Sequence, residues 1–239
     1  MKKTGKLLSL TWTKRCSMRL LLDGDILVYR VGFACDDEEE EALVCATVDR
    51  AVSGILIDCP FEGSVSVFIS GENNFRNEIA TTAPYKGNRE GKRRPVWKEQ
   101  IREHLVQHWD ASVSDNQEAD DDIAIEATKD LASAVIISID KDFLQVPCRH
   151  WNFVKQQLTS VTPEEGLLWF YQQILIGDRI DNIIGSEGIG PVKSRKLLEG
   201  KTEAQMWGEC VKLLGHDRAL ENGRLLWLRR KPNEIWKEE

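Results

Sequence analysis

The 239-residue chain has no apolar run of membrane-spanning length, no two cysteines in a Cys-x-x-Cys pair, and fewer basic residues (32) than acidic ones (39). The first absence excludes a transmembrane helix, which needs about 20 apolar residues in succession. The second excludes a zinc ribbon or a dense disulfide framework. Cys16, Cys35, Cys45, Cys59, Cys148 and Cys210 are scattered and are expected to be reduced thiols of a cytoplasmic protein. The third, a formal net charge of -7, argues against a general nucleic-acid coat, because proteins held by counterion release alone tend to be basic overall. Histidine is scarce too: His104 and His108 stand at i, i+4 but lack a third ligand, so they read as packed or solvated side chains. Internal repeats are also absent. Residues 1–17 begin with basic residues and a brief apolar stretch, but no small-residue cleavage site follows, so they are expected to be a dispensable extension ahead of Met18.

What the chain does have is segregated charge. Between Arg76 and Glu103 eight basic residues meet four acidic ones, whereas between Gln117 and Asp142 eight acids meet only Lys129 and Lys141. A basic tract beside an acidic one suits phosphodiester chemistry, with cations to grip phosphate and carboxylates to hold metal. The apolar runs Arg19–Leu22, Ser64–Ser70 and Ala134–Ile139 read as buried strands of a parallel sheet. The first ends in Asp23-Gly24-Asp25 and the third in Asp140-Lys141-Asp142, and open α/β sheets place ligands at such carboxyl ends. Helices are expected over about 96–109 and 118–131, from Pro163 onward, and over Pro191–Leu198 after a glycine-punctuated turn. The polar connection 71–95 reads as an exposed lobe. The eight tryptophans read as core anchors rather than base-stacking platforms.

Four segments carry closely spaced acids. Glu118-Ala119-Asp120-Asp121-Asp122 opens a helix, where one or two acids would satisfy the helix dipole. Regular helical geometry puts Glu118, Asp121 and Asp122 on one face and turns Asp120 elsewhere. Asp140 and Asp142 leave one face if extended, and Asp178 and Asp181 share a face if helical. With Asp23 they make eight carboxylates, Asp23, Glu118, Asp120, Asp121, Asp140, Asp142, Asp178 and Asp181, which cannot all ionise together without counter-charge. Mg²⁺ or Mn²⁺, in a pair about 4 Å apart, supplies that charge and clamps a phosphodiester.

LLDGD at 21–25, NFRNEIATTAPYKGNR at 74–89, EADDD at 118–122, ISIDKDF at 137–143 and GDRIDNIIGSEGIGPVKSRKLL at 177–198 together resemble, in order and spacing, the structure-specific 5′ nuclease superfamily. That superfamily includes flap endonucleases and the 5′-exonuclease domain of DNA polymerase I, and the look is nearest to short phage-encoded 5′-3′ exonucleases. The resemblance implies an α/β fold with a PIN-like parallel twisted sheet over 18–160 and a helical arch at about 71–109. It also implies a helical DNA-binding region over 161–239, with a helix–hairpin–helix at about 177–198. It assigns the eight carboxylates as metal ligands, Lys86 and Arg89 as the pair on the scissile phosphate, and Tyr85 to a base or to packing. Arg76, Lys92, Arg93 and Arg94 would guide single-stranded DNA through the arch. Gly188, Gly190, Lys193 and Lys196 would grip the uncut duplex, with K⁺ at the turn. The implied protein is a monomeric nuclease of host cytoplasm, acting on DNA with a free 5′ end beside replication proteins and leaving 5′-phosphates.

Two departures stand out. Relatives often carry an aspartate where this chain has Ser70, and Asp25 and Asp122 are additional acids. Two other readings compete: a DNA-structure-binding protein without catalysis, and a haloacid dehalogenase-type phosphatase built on Asp23-Gly24-Asp25. The phosphatase reading leaves EADDD and YKGNR unexplained.

Overall fold

The structure, a computed structural model, describes residues 17–238, so the expected extension lies outside the described residues except for Ser17. Six strands, β1 (Met18–Asp23), β2 (Gly63–Ile69), β3 (Ser112–Val113), β4 (Ala134–Ile137), β5 (Arg149–Asn152) and β6 (Gln157–Ser160), form one sheet in the order β3-β2-β1-β4-β5-β6. Every neighbouring pair is parallel except β5 with β6. The chain therefore steps outward on one side of β1 and then on the other, which makes the carboxyl ends of β1 and β4 a topological switch point.

The strands form where the apolar runs predict, because both faces of the sheet are covered. Leu20, Leu22, Val67, Ile69, Val135 and Ile137 face one layer, made of α1 (Gly24–Ala34), α2 (Glu41–Asp58) and a later helix over Lys98–Trp109. In α2, Val44, Val48, Val52 and Ile55 recur every three or four residues and are buried against that layer. Leu21, Phe68 and Ile136 face the opposite layer, where α5 (Ala119–Lys129) packs through Ile123, Ala124 and Ala127. Gly24 is required at the β1–α1 corner: a Cβ there would stand 2.7 Å from both Phe68 O and Ile69 Cγ2. Any larger residue would push the Asp23 corner off β2.

Between β2 and β3 the chain forms a short helix, α3 (Arg76–Ile79), a 3₁₀ turn at Gly87–Arg89, and then α4 (Lys98–Trp109). Ile101 and Leu105 of α4 are buried in the core, and Phe75, Arg76 and Tyr85 are buried as well, so the 71–95 connection is not wholly the exposed lobe expected of it. A third apolar cluster lies beyond the sheet in α6 (Pro163–Ile176), α7 (Pro191–Leu198), α8 (Glu203–Leu214) and α9 (His216–Leu226). Thr162 and Glu165 form a reciprocal capping box with Pro163 at the first helical position, so α6 starts where the sequence predicts. The acids of 177–182 depart from the helical expectation. They lie on a hairpin of β7 (Gly177–Asp178) and β8 (Ile183–Ile184), where Asp178 Oδ1 accepts from the N–H groups of Ile180 and Asp181. After α9 a strap without regular structure returns across the molecule, and Trp236 lies against Gly223 and edge-on to Phe170 and Trp207. None of the described tryptophans is exposed, in keeping with their expected role as anchors.

Candidate active site

Asp23 ends β1 and is buried, accepting hydrogen bonds from Ile26 N and, at 2.9 Å, from Ser138 Oγ. Asp140 and Asp142 leave β4 on a 3₁₀ turn rather than an extended chain, with Asp140 Oδ1 accepting from Asp142 N at 2.9 Å. Burial, reinforced by Asp25 and Asp140, pushes the Asp23 carboxyl up to about 7. Burial together with Asp23, Asp140 and Glu118 raises Asp120 well above the usual carboxylate range. Burial with Asp140 and Asp178 pushes Asp142 up to about 8. Carboxylates from β1, α5, the turn after β4 and the β7–β8 hairpin thus form one connected field of like charge.

All the donors are hard oxygens, and several cannot ionise as neighbours unless a cation joins them, so this group fits a divalent ion. Among the described residues no three acidic, histidine or cysteine side chains already converge as a ready ligand set.

The conflict among Asp120, Asp121 and Asp122 is resolved by where α5 begins. Glu118 is its N-cap and Ala119 its first residue, which turns Asp120 toward Asp23 and Asp140. Asp122 instead accepts from Gln117 Nε2. Asp121, expected among the metal ligands, faces away from the cluster. It is fully buried in a two-pronged pair with Arg76, at 2.6 and 3.0 Å, and also accepts from Arg229 N. Arg76 is correspondingly no guide for single-stranded DNA. It is 2% exposed and also donates to Leu225 O and Trp227 O. Neither role was legible, because Arg229 and the carbonyls of Leu225 and Trp227 lie some 150 residues beyond Arg76.

The YKGNR segment docks on the β7–β8 hairpin. Lys86 N donates to Asp181 O, Asn88 Nδ2 to Arg179 O, and Asn182 Nδ2 to Pro84 O. Lys86 Nζ pairs with Glu118 and lies 3.8 Å from Asp181, and Arg89 Nη2 pairs with Asp181 at 2.6 Å. Burial would raise Glu118, yet Lys86 and Arg76 hold it below the usual range. Burial keeps Asp181 raised in spite of Lys86 and Arg89. Tyr85 packs rather than stacks on a base: it is buried among the α6–α9 residues, and its hydroxyl donates to Glu118 and Asp181.

Lys92, Arg93 and Arg94 are exposed and, with Arg89, Arg179 and Ile180, line an open groove of about 540 Å³. Its far wall is Tyr29 (40% exposed) and Phe33 (53% exposed), with ring centroids 6.3 Å apart. This pair was missed in the sequence. Its signal was two aromatics four apart on the face of α1 opposite the buried Leu27, Val28 and Val31. On the far side, Gly188 has φ +69° and needs to be glycine, whereas Gly190 has an ordinary extended backbone and serves as the N-cap of α7. Lys193 Nζ donates to Gly188 O at 2.8 Å, while Lys196 is exposed.

Ser70 and Asp25 are linked. Both Asp25 carboxylate oxygens accept from Ser70 N, at 3.1 and 3.2 Å, and Ser70 Oγ accepts from Ala119 N at 2.9 Å, which ties the ends of β1 and β2 to the start of α5.

No family model matches the chain. It is similar to flap endonuclease Xni of Shewanella baltica, 29% identical over 195 residues that cover 75% of this chain and 73% of the relative. The corresponding protein of Shewanella frigidimarina is 29% identical over 201 residues, covering 75% of each chain. Among solved structures, the 5′-exonuclease of bacteriophage T5 with bound divalent metal ions superposes with a TM-score of 0.63 at 19% identity, over 87% of this chain and 88% of that one. The catalytic core of Rad2 in complex with DNA gives 0.52 at 17% identity, over 87% and 63%. The sequence likeness to these flap endonucleases thus runs over three quarters of the chain, and the fold of the T5 5′-exonuclease is shared over most of it.

Proposed function

We propose that the chain is a divalent-cation-dependent 5′-3′ exonuclease and flap endonuclease that hydrolyses DNA phosphodiesters and leaves 5′-phosphates. The observation that carries this reading is the meeting of carboxylates from four segments beside Lys86 and Arg89, at the switch point of a parallel sheet. Asp23, Glu118, Asp120, Asp140, Asp142, Asp178 and Asp181 would hold two Mg²⁺ or Mn²⁺ ions, directly or through water. Such ions, when bound, activate water and neutralise charge on the phosphate.

The chain's own residues do the rest. Lys86 and Arg89 bind the nonbridging oxygens and stabilise charge gathering there. Lys92, Arg93 and Arg94 draw the strand into the groove, where Tyr29 and Phe33 offer faces to its bases. The backbone N–H groups at the Gly190–α7 start, with Lys193 and Lys196, hold the uncut duplex, and a K⁺ ion at the adjoining turn would add positive charge there. Replication proteins are the natural neighbours of such an activity.

The test is incubation of the purified chain with Mg²⁺ and 5′-labelled flap, nicked and blunt DNA. Labelled fragments that disappear with a chelator are expected. Tight binding without product would indicate a DNA-structure-binding protein. Release of inorganic phosphate from a small phosphomonoester would indicate a phosphatase.

A further inference from the structure

Two buried glutamines sit beside apolar core residues and are linked to one another. Gln145, 3% exposed, lies on the turn after β4 between Phe143 and Val146, and Gln173, 5% exposed, lies on α6 among Phe170, Ile174 and Leu175. Burying a side-chain amide is unfavourable unless its hydrogen bonds are met. Here they are met in a directed series. Gln173 Nε2 donates to Asp142 Oδ1 at 2.8 Å, and Gln173 Oε1 lies 3.4 Å from Gln145 Nε2. That same Nε2 donates to Leu226 O at 2.9 Å, Gln145 Oε1 accepts from Leu228 N at 2.9 Å, and the Gln145 carbonyl accepts from Arg230 Nη2 at 2.8 Å. The helix and turn are seated against each other at Gly166, where a Cβ would stand 2.8 Å from Gln145 O.

We propose that the end of α9 and the strap that follows it, Leu225–Arg230, acting through Gln145 and Gln173, are a positioning element of the nuclease centre, and that Gln173 sets the orientation of the Asp142 carboxylate. This rests on Asp142 being a cation ligand. A neutral amide is suited to the task. It fixes one carboxylate oxygen without cancelling the charge, whereas a lysine or arginine would compete with the cation. The same segment takes part at a second point, because Leu225 O, Trp227 O and Arg229 N hold the Arg76–Asp121 pair at the start of α5. One segment, remote in sequence from every acid, thus braces two of the segments that present them.

The experiment compares Gln173→Met, which keeps length but cannot donate, with the wild type and Asp142→Asn, using the full chain. Mn²⁺ binding is measured by calorimetry without DNA, DNA binding is measured in Ca²⁺, and cleavage is followed across Mg²⁺ concentrations. Losing a hydrogen-bonding partner behind a ligand typically costs about 10–100-fold in metal affinity or activity. Gln173→Met should show that loss in Mn²⁺ affinity and in kcat, with DNA affinity and circular dichroism unchanged. If Gln173→Met does not fold, Gln145→Met replaces it, with a smaller loss in the same direction. Mn²⁺ titrations and turnover that superimpose on the wild type, in a folded variant, overturn the proposal while Asp142→Asn is inactive. If Asp142→Asn also binds Mn²⁺ and cleaves normally, the nuclease reading of the acids fails and the positioning role falls with it.

Discussion

Replacing Arg76 by alanine should destabilise the fold more than any substitution among the exposed cations. The guanidinium donates four hydrogen bonds: two to Asp121, one to Leu225 O and one to Trp227 O. Its removal leaves a carboxylate that is 0% exposed, held only by the N–H groups of Glu118 and Arg229. Breaking a buried pair by deleting one partner costs about 3–5 kcal/mol. For a chain of this size, with roughly 2–4 °C per kcal/mol, the thermal midpoint should fall by about 6–20 °C. The pH dependence gives a second signature. Arg76 overcomes burial and holds Asp121 below its ordinary value of 3.8, so the pair's contribution is complete above that pH and is lost as pH falls through the folded value. In Arg76→Ala the same carboxyl is left to burial, which raises it, so the variant gains relative to the wild type on acidification. Urea unfolding at pH 7.5 and at pH 4.5 measures both effects. A gap below about 1 kcal/mol at pH 7.5, the size of an exposed ion pair, or a gap that widens toward acid, would refute the reasoning.

Asp142→Ala should abolish cleavage but retain flap binding in Ca²⁺, and a gel-shift and product assay on the same preparation checks both. Lys86→Ala should slow single-turnover cleavage by about 10²–10³-fold, the usual loss for one preorganised charge-stabilising donor. A negligible change would remove Lys86 from the chemistry. Tyr29→Ala should weaken binding of a single-stranded 5′ flap by about 1–3 kcal/mol, as expected for one base-stacking ring. Fluorescence anisotropy on flapped and flapless duplexes separates this from any loss on the duplex itself.

The sheet was legible in the sequence because most of β1, all of β4 and the carboxyl half of β2 are buried on both faces and so read as apolar stretches. β3, with two residues, and the antiparallel pair β5 and β6 carry no such run and were not read. The acid clusters were visible as clusters, but the direction of each side chain depended on local geometry that composition does not encode. One residue decided the case of α5: with Glu118 as N-cap, the helical phase brings Asp120 into the cluster and turns Asp121 to Arg76. The hairpin at 177–184 was mistaken for a helix because a spacing of three suits a helical face and an Asx turn alike. Arg76 looked like one more member of a basic tract. Its burial follows from contacts with the strap, which no local window contains.

The parking of Lys86 and Arg89 on Glu118 and Asp181 has a consequence for how the centre assembles. The negative end of the sheet carries part of its own counter-charge, so the fold can form before any cation arrives. On the proposed reading, an ion held by Glu118 would compete with the Lys86 ammonium group for one carboxylate, so loading the acids would favour release of a cationic arm toward phosphate.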